Sequence, residues 1–132
     1  MAKKIFISYK YTGEDRAKLE SNIGAIREGL KDSGHNVYCT LWDSNIQAQS
    51  KRVLFDYAFK EIDKSDIVLV AVFVEEKSEG MLMEIGYAFA KKKRVILLID
   101  KNVKNTHLRD LIDEKYDFSN SNQIREIIGR IK

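Results

Sequence analysis

Ile67-Val68-Leu69-Val70-Ala71-Val72-Phe73-Val74 is an unbroken apolar octapeptide. Three charged residues separate it from Ser78-Glu79-Gly80-Met81-Leu82-Met83-Glu84-Ile85-Gly86-Tyr87-Ala88. The octapeptide is strand-sized and rich in valine, with no polar alternation, the pattern of a strand buried on both faces. Met83, Tyr87 and Ala90 then recur at helical spacing, so a helix follows. Glu84 falls in the first turn or two of that helix, just past the carboxyl end of a core strand. Ligands of open parallel sheets bind in the crevice outside those strand ends. A carboxylate there is a candidate nucleophile or general base. The helix dipole alone also favours an acidic residue near a helix N-terminus, so the structural and the chemical reading start level.

Working outward, strand and helix alternate along the chain. Ile5-Phe6-Ile7 is a first strand, ended by a polar loop over residues 9–15. Leu19, Ile23, Ile26 and Leu30 mark a helix, and Gly34 suits a left-handed cap after it. Val37-Tyr38-Cys39 is a second strand. A polar loop over residues 42–49 leads to a helix carrying Val53, Leu54, Tyr57, Ala58 and Ile62. After the Glu84 helix, Val95-Ile96-Leu97-Leu98-Ile99 is a fourth buried strand. Leu108, Leu111 and Ile112 mark a short helix, Tyr116-Asp117-Phe118 an edge strand, and residues 124–131 a last helix. Four or five strands linked by helices need right-handed parallel crossovers. The expected fold is α/β, a flavodoxin-like, Rossmann-like three-layer sandwich in one domain over residues 1–132.

A chain of 132 residues buries a core without staples, and 44% apolar with 33% charged residues describes a folded globular chain. The net charge of +3 is mild. The basic run Lys91-Lys92-Lys93-Arg94 closes a helix whose C-terminus favours cations, and no stacking aromatics accompany it, so no nucleic-acid partner is expected. The one cysteine, Cys39, lies in an apolar strand and reads as a buried, inert thiol in a reducing compartment. The apolar runs are strand-sized, so neither a membrane span nor a signal peptide is expected, and a cytoplasmic location follows.

Several chemistries lack their residues. There is no GxGxxG after the first strand, no Walker A sequence and no serine-centred nucleophile elbow. His35 and His107 have no partner at metal-ligand spacing and read as surface or helix-cap residues; no metal or cofactor is expected. A receiver domain needs an aspartate ending the third strand, where this chain has Val72-Phe73-Val74.

With Glu84 placed, residues 65–99 resemble the nucleoside 2-deoxyribosyltransferase family, including its nucleotide N-glycoside hydrolase branch. The matching positions are Asp66 at the strand start, Ser78 and Gly80 in the loop, Glu84-Ile85-Gly86-Tyr87-Ala88 on the helix, and the fourth strand. The resemblance implies that Glu84 attacks the anomeric carbon and that water or another base takes the sugar, sound chemistry for a lone carboxylate. Ser78, six before the glutamate, matches the branch acting on nucleoside 5′-monophosphates, with Gly80 beside it holding phosphate or sugar. Ala58 stands where the family has a second aspartate, and Leu82 where it often has glycine. Glu75, Glu76 and Glu79 crowd the same loop and repel a phosphate unless they point outward or Lys10 offsets them. The family's habit of lending residues between subunits implies a homo-oligomer.

The amino-terminal half resembles Toll/interleukin-1 receptor (TIR) domains through Lys4-Ile5-Phe6-Ile7-Ser8-Tyr9, Gly13-Glu14-Asp15 and Gly34-His35-Asn36-Val37-Tyr38. Enzymatic TIR domains cleave the nicotinamide glycosidic bond of NAD with a glutamate on the corresponding helix. The tryptophan they carry before it is absent here. Ser8, Tyr9 and Lys10 end the first strand at the ligand face and are expected to contact substrate. Trp42, Met81 and Met83 read as packing residues, and Asp66, at the opposite strand end, as structural. The expected function is cleavage or transfer at the N-glycosidic bond of a (deoxy)nucleoside or its 5′-monophosphate. The alternatives are a TIR-type NAD glycohydrolase and a non-catalytic TIR-like interaction module.

Overall fold

The computed structural model describes residues 2–11 and 14–132; Gly13, part of the TIR-like box, lies outside the described residues. Five parallel strands form one sheet in the order β2-β1-β3-β4-β5. They are β1 (Lys4–Tyr9), β2 (Asn36–Tyr38), β3 (Ile67–Val72), β4 (Arg94–Asp100) and β5 (Glu114–Phe118). Every residue of β3 is buried, as a strand covered on both faces requires. It pairs with β1 from Ile5↔Ile67 to Tyr9↔Ala71 and with β4 from Ile67↔Arg94 to Val72↔Ile99.

Helices cover both faces. The helices α1 (Arg16–Asp32) and α6 (Ser121–Ile128) lie on one side, over Ile5, Ile7, Tyr9, Leu69, Ile96 and Leu98. On the other, α3 (Lys51–Asp63), α4 (Glu79–Ala90) and α5 (Leu108–Leu111) cover Phe6, Val68, Val70, Val72, Leu97 and Ile99. The caps are local. Asp15, Ser50, Ser78 and Asn120 each accept amide hydrogen bonds from the first turn of α1, α3, α4 and α6. Gly34 takes φ +87° after α1, as expected. Asp66 accepts from the Lys4 amide at 2.9 Å, a structural role at the strand start.

Some expectations need correction. The loop over 42–49 is partly helical: a 3-10 turn (Thr40–Trp42) and α2 (Ser44–Gln47) occupy it, because Asp43 caps the Ile46 amide at 3.2 Å. The octapeptide ends as a strand at Val72, since Phe73 and Val74 already turn toward α4. On α3 only Ala58, Glu61 and Ile62 are buried; Val53 and Tyr57 stay exposed. His35 is buried, not superficial: Nδ1 accepts from the Lys3 amide at 3.0 Å and Nε2 lies 3.4 Å from the Ile131 carbonyl.

Two helical glycines give a stability test of opposite sign. A methyl on Gly29 meets Ile128 Cγ2 at 2.8 Å across the α1–α6 contact, whereas one on Gly24 meets nothing within 4 Å. Gly24→Ala is expected to raise stability by about 0.5–1 kcal/mol through helix propensity. Gly29→Ala loses more to overpacking against a buried β-branched side chain than it gains, a net cost of about 1 kcal/mol. Thermal unfolding of the pair reads both.

Candidate active site

The strand order reverses at β1: the chain crosses from β1 to β2 on one side and continues through β3 on the other. The C-terminal ends of β1 and β3 therefore bound the crevice where such sheets bind ligands. Side-chain alternation sends Phe6 and Ser8 to the α3/α4 face and Ile7 and Tyr9 to the α1 face. Ser8 thus faces α4, where Glu84 occupies the second turn.

The Ser8 hydroxyl donates to Glu84 Oε1 at 2.7 Å. Ser8 is fully buried and Glu84 half-buried. Burial away from water raises the Glu84 pKa to about 7, and the Ser8 hydrogen bond opposes that rise. The carboxylate is poised near neutrality, with one oxygen fixed by a donor. Ser8, expected to contact substrate, is bonded to Glu84.

Tyr9, expected to contact substrate, turns to the other face of the sheet. It belongs to the core under α1, and its hydroxyl lies 3.0 Å from Thr40 Oγ1. Cys39 is buried beside it, as expected, and desolvation pushes its thiol up to about 12.

Lys10 follows β1, and Ser78 and Gly80 stand at the start of α4. Lys10 Nζ lies 3.2 Å from Glu14 Oε2 and 3.7 Å from Glu76 Oε2. Ser78 caps α4 by accepting from the Met81 amide at 3.1 Å. The amides of Glu79 and Gly80 open the helix with no carbonyl partner inside it. Gly80 packs closely on α3: a Cβ there lies 3.0 Å from Phe55 Cε1. The crowded acids are dispersed. The Glu75 carboxylate accepts from the Lys104 and Asn105 amides at 2.7 and 3.0 Å, and those bonds hold its pKa below the usual range. Glu79 is exposed on the first turn. Among the described residues, no group of three or more His, Cys, Asp or Glu is placed to hold a metal ion. No helix of the described residues is long and apolar enough to cross a membrane.

The sequence matches the nucleoside 2-deoxyribosyltransferase family over residues 12–120. The chain belongs to that family. It is an enzyme family whose chemistry is at the N-glycosidic bond. The CMP N-glycosidase BcmB of Clostridium botulinum is similar in structure, with TM-score 0.72 and 16% identity over 95% of this chain and 96% of that one. A 2-deoxyribosyltransferase of Bacillus psychrosaccharolyticus gives TM-score 0.71 and 18% identity over 98% of this chain and 92% of that one. A flavodoxin-like domain from Synechococcus sp. gives 0.58 and 12%, over 95% and 93%. These likenesses are of fold. No curated protein matches the sequence.

In this member of the deoxyribosyltransferase family, Ala58 is core and Asp56 pairs with Arg52 on the surface at 3.3 Å, so neither supplies a second site carboxylate. Two features escaped the sequence. Trp42, expected as a lid on the core, is 39% exposed, with the Arg27 guanidinium 4.7 Å from its ring centre. Together with Val37, Tyr38, Cys39 and Asp43 they line a cavity of about 330 Å3 at the β2 edge, to which Glu84 does not contribute. Met83, expected to pack, is 48% exposed. No local pattern announces either, because both depend on how the 40–47 segment folds back and on which way α4 is rolled.

The raised Glu84 pKa has a consequence for stability. The folded state holds a proton on Glu84 up to about pH 7, whereas the unfolded chain loses it near 4.5. Raising the pH through that window therefore destabilises the fold, and Glu84→Gln removes the effect. The variant is expected to match wild type at pH 4.5 and exceed it above pH 7.5, by about 3 kcal/mol at most. Denaturant unfolding at both pH values checks this.

Proposed function

We propose that the protein cleaves or transfers the N-glycosidic bond of a (deoxy)nucleoside 5′-monophosphate, with Glu84 as nucleophile. The observation that carries this reading is the buried carboxylate held by Ser8 at the strand-order reversal, 2.7 Å from its donor. Ser8 fixes Oε1, leaving Oε2 to attack C1′ of the sugar. The C1′–N bond breaks with its electron pair going to the base, and a sugar ester forms on Glu84. Water or a second base then attacks C1′ and frees the carboxylate. The chain's similarity to a CMP N-glycosidase and to a 2-deoxyribosyltransferase supports both fates for the sugar.

The 5′-phosphate preference rests on the mouth of the site. The α4 N-terminus carries the Ser78 cap and open amides, a favourable place for an anion, and the Lys10 ammonium stands beside it. Of the loop acids that argued against a phosphate, Glu75 is engaged on backbone amides and Glu79 is exposed, while Glu76 stands loosely on Lys10. A homo-oligomer belongs to the same proposal. Leu82, Met83 and Phe89 expose one apolar strip along α4, the helix that carries Glu84.

The deciding experiment is incubation of wild type and Glu84→Gln with nucleosides, nucleoside 5′-monophosphates and NAD, with released bases read by chromatography. Wild type is expected to free a base from a monophosphate, and Glu84→Gln to fall by at least about a thousandfold. Release of nicotinamide alone points to NAD glycohydrolysis instead, and no release from any pool overturns the enzyme reading. The pH profile tests Ser8 separately. Activity is expected to rise with pH through an ionisation near 7, that of Glu84. Ser8→Ala removes a bond that favours the carboxylate, so its limb moves to higher pH. Light scattering of wild type and Met83→Glu tests assembly; a fully active wild-type monomer contradicts the oligomer.

A further inference from the structure

A narrow pocket lies at the ends of β1 and β3, lined in part by Lys10, Glu14, Phe73, Glu76 and Met81. Ser8 and Glu84 do not line it, and its volume is about 10 Å3. That is room for one water and no ligand. Two carboxylates at this otherwise apolar pocket face Lys10, and they are not equivalent. Glu14 is 13% exposed and hydrogen-bonds Lys10 at 3.2 Å, so it holds the ammonium in place. Glu76 is 86% exposed and stands 3.7 Å away, beyond hydrogen-bond reach. It covers Lys10 without fixing it.

We propose that Glu76 is an anionic gate, its carboxylate standing on the face of Lys10 that the phosphate of the substrate takes over. The inference rests on the 5′-monophosphate reading and adds to it the residue that sets discrimination at the mouth. A phosphate carries more charge and more acceptor oxygens than one carboxylate, so it wins the ammonium. Glu76, already almost wholly in water, loses little on release. A neutral nucleoside has nothing to offer Lys10 in exchange. Glu75, the neighbouring acid, does not compete, because its carboxylate is bonded to the Lys104 and Asn105 amides. Glu79 is exposed on α4 and makes no ion pair with Lys10 among the described residues.

Glu76→Gln removes the competing charge at an exposed position and leaves Lys10 on Glu14. Titration of inorganic phosphate, followed through the amide resonances of Lys10 and residues 76–80, needs no turnover. It is expected to show two- to fivefold tighter binding in Glu76→Gln, the scale of an exposed ion pair. Lys10→Gln is expected to abolish the gain. Unchanged or weaker phosphate binding in Glu76→Gln, or the same gain without Lys10, overturns the gate. In turnover, the KM for a nucleoside 5′-monophosphate is expected to fall by a similar factor in Glu76→Gln, and more than the KM for its parent nucleoside. An equal change for both substrates contradicts the proposal. If wild type cleaves neither, the functional reading fails, while the phosphate titration still decides the gate.

Discussion

One adjacency organises this protein: β1 lies hydrogen-bonded to β3, with Ser8 opposite Val70. That pairing brings the end of the first strand beneath the helix that follows the third. Without it, Ser8 and Glu84, 76 residues apart, have no reason to meet. Because β1 is the strand at which the order reverses, no helix crosses directly over the gap beyond its end. The fold thus supplies an opening and a donor aimed at one carboxylate. The apolar walls of β3 and α4 do the rest, by denying that carboxylate the water that would keep its pKa near 4.5.

The site is a balance of forces on one proton. Burial pushes Glu84 toward its neutral form, and the Ser8 hydroxyl pulls it back. A stronger donor set leaves a fully ionised but less basic carboxylate, and no donor at all leaves a protonated one. Neither attacks carbon well at neutral pH. Around this buried centre the charges are arranged differently. Lys10 faces both Glu14 and Glu76, and Glu75 is held on backbone amides.

The fold was largely legible in the sequence because its strongest signals are local. Valine-rich strands and the left-handed Gly34 each declare themselves within a few residues. Glu84 was legible for the same reason, as a carboxylate just past a core strand. What the sequence did not reveal depends on alternation and roll. A shift of one residue decides whether Ser8 or Tyr9 faces α4, and nothing in Ile7-Ser8-Tyr9-Lys10 announces the phase until β1 is paired with β3. Burial of His35 depends on contacts with Lys3 and Ile131, which lie far off in sequence or outside any periodic pattern. The exposed faces of Met83 and Trp42 share that cause.

The account stands or falls on a bond between Glu84 and a sugar. The most direct test is intact-mass and peptide analysis after brief incubation with a 2-fluoro nucleoside 5′-monophosphate, whose electron-poor sugar slows release from a carboxylate. The account predicts one sugar-phosphate adduct per chain, located on the peptide containing Glu84. Base release with no adduct there, or an adduct on another residue, contradicts it.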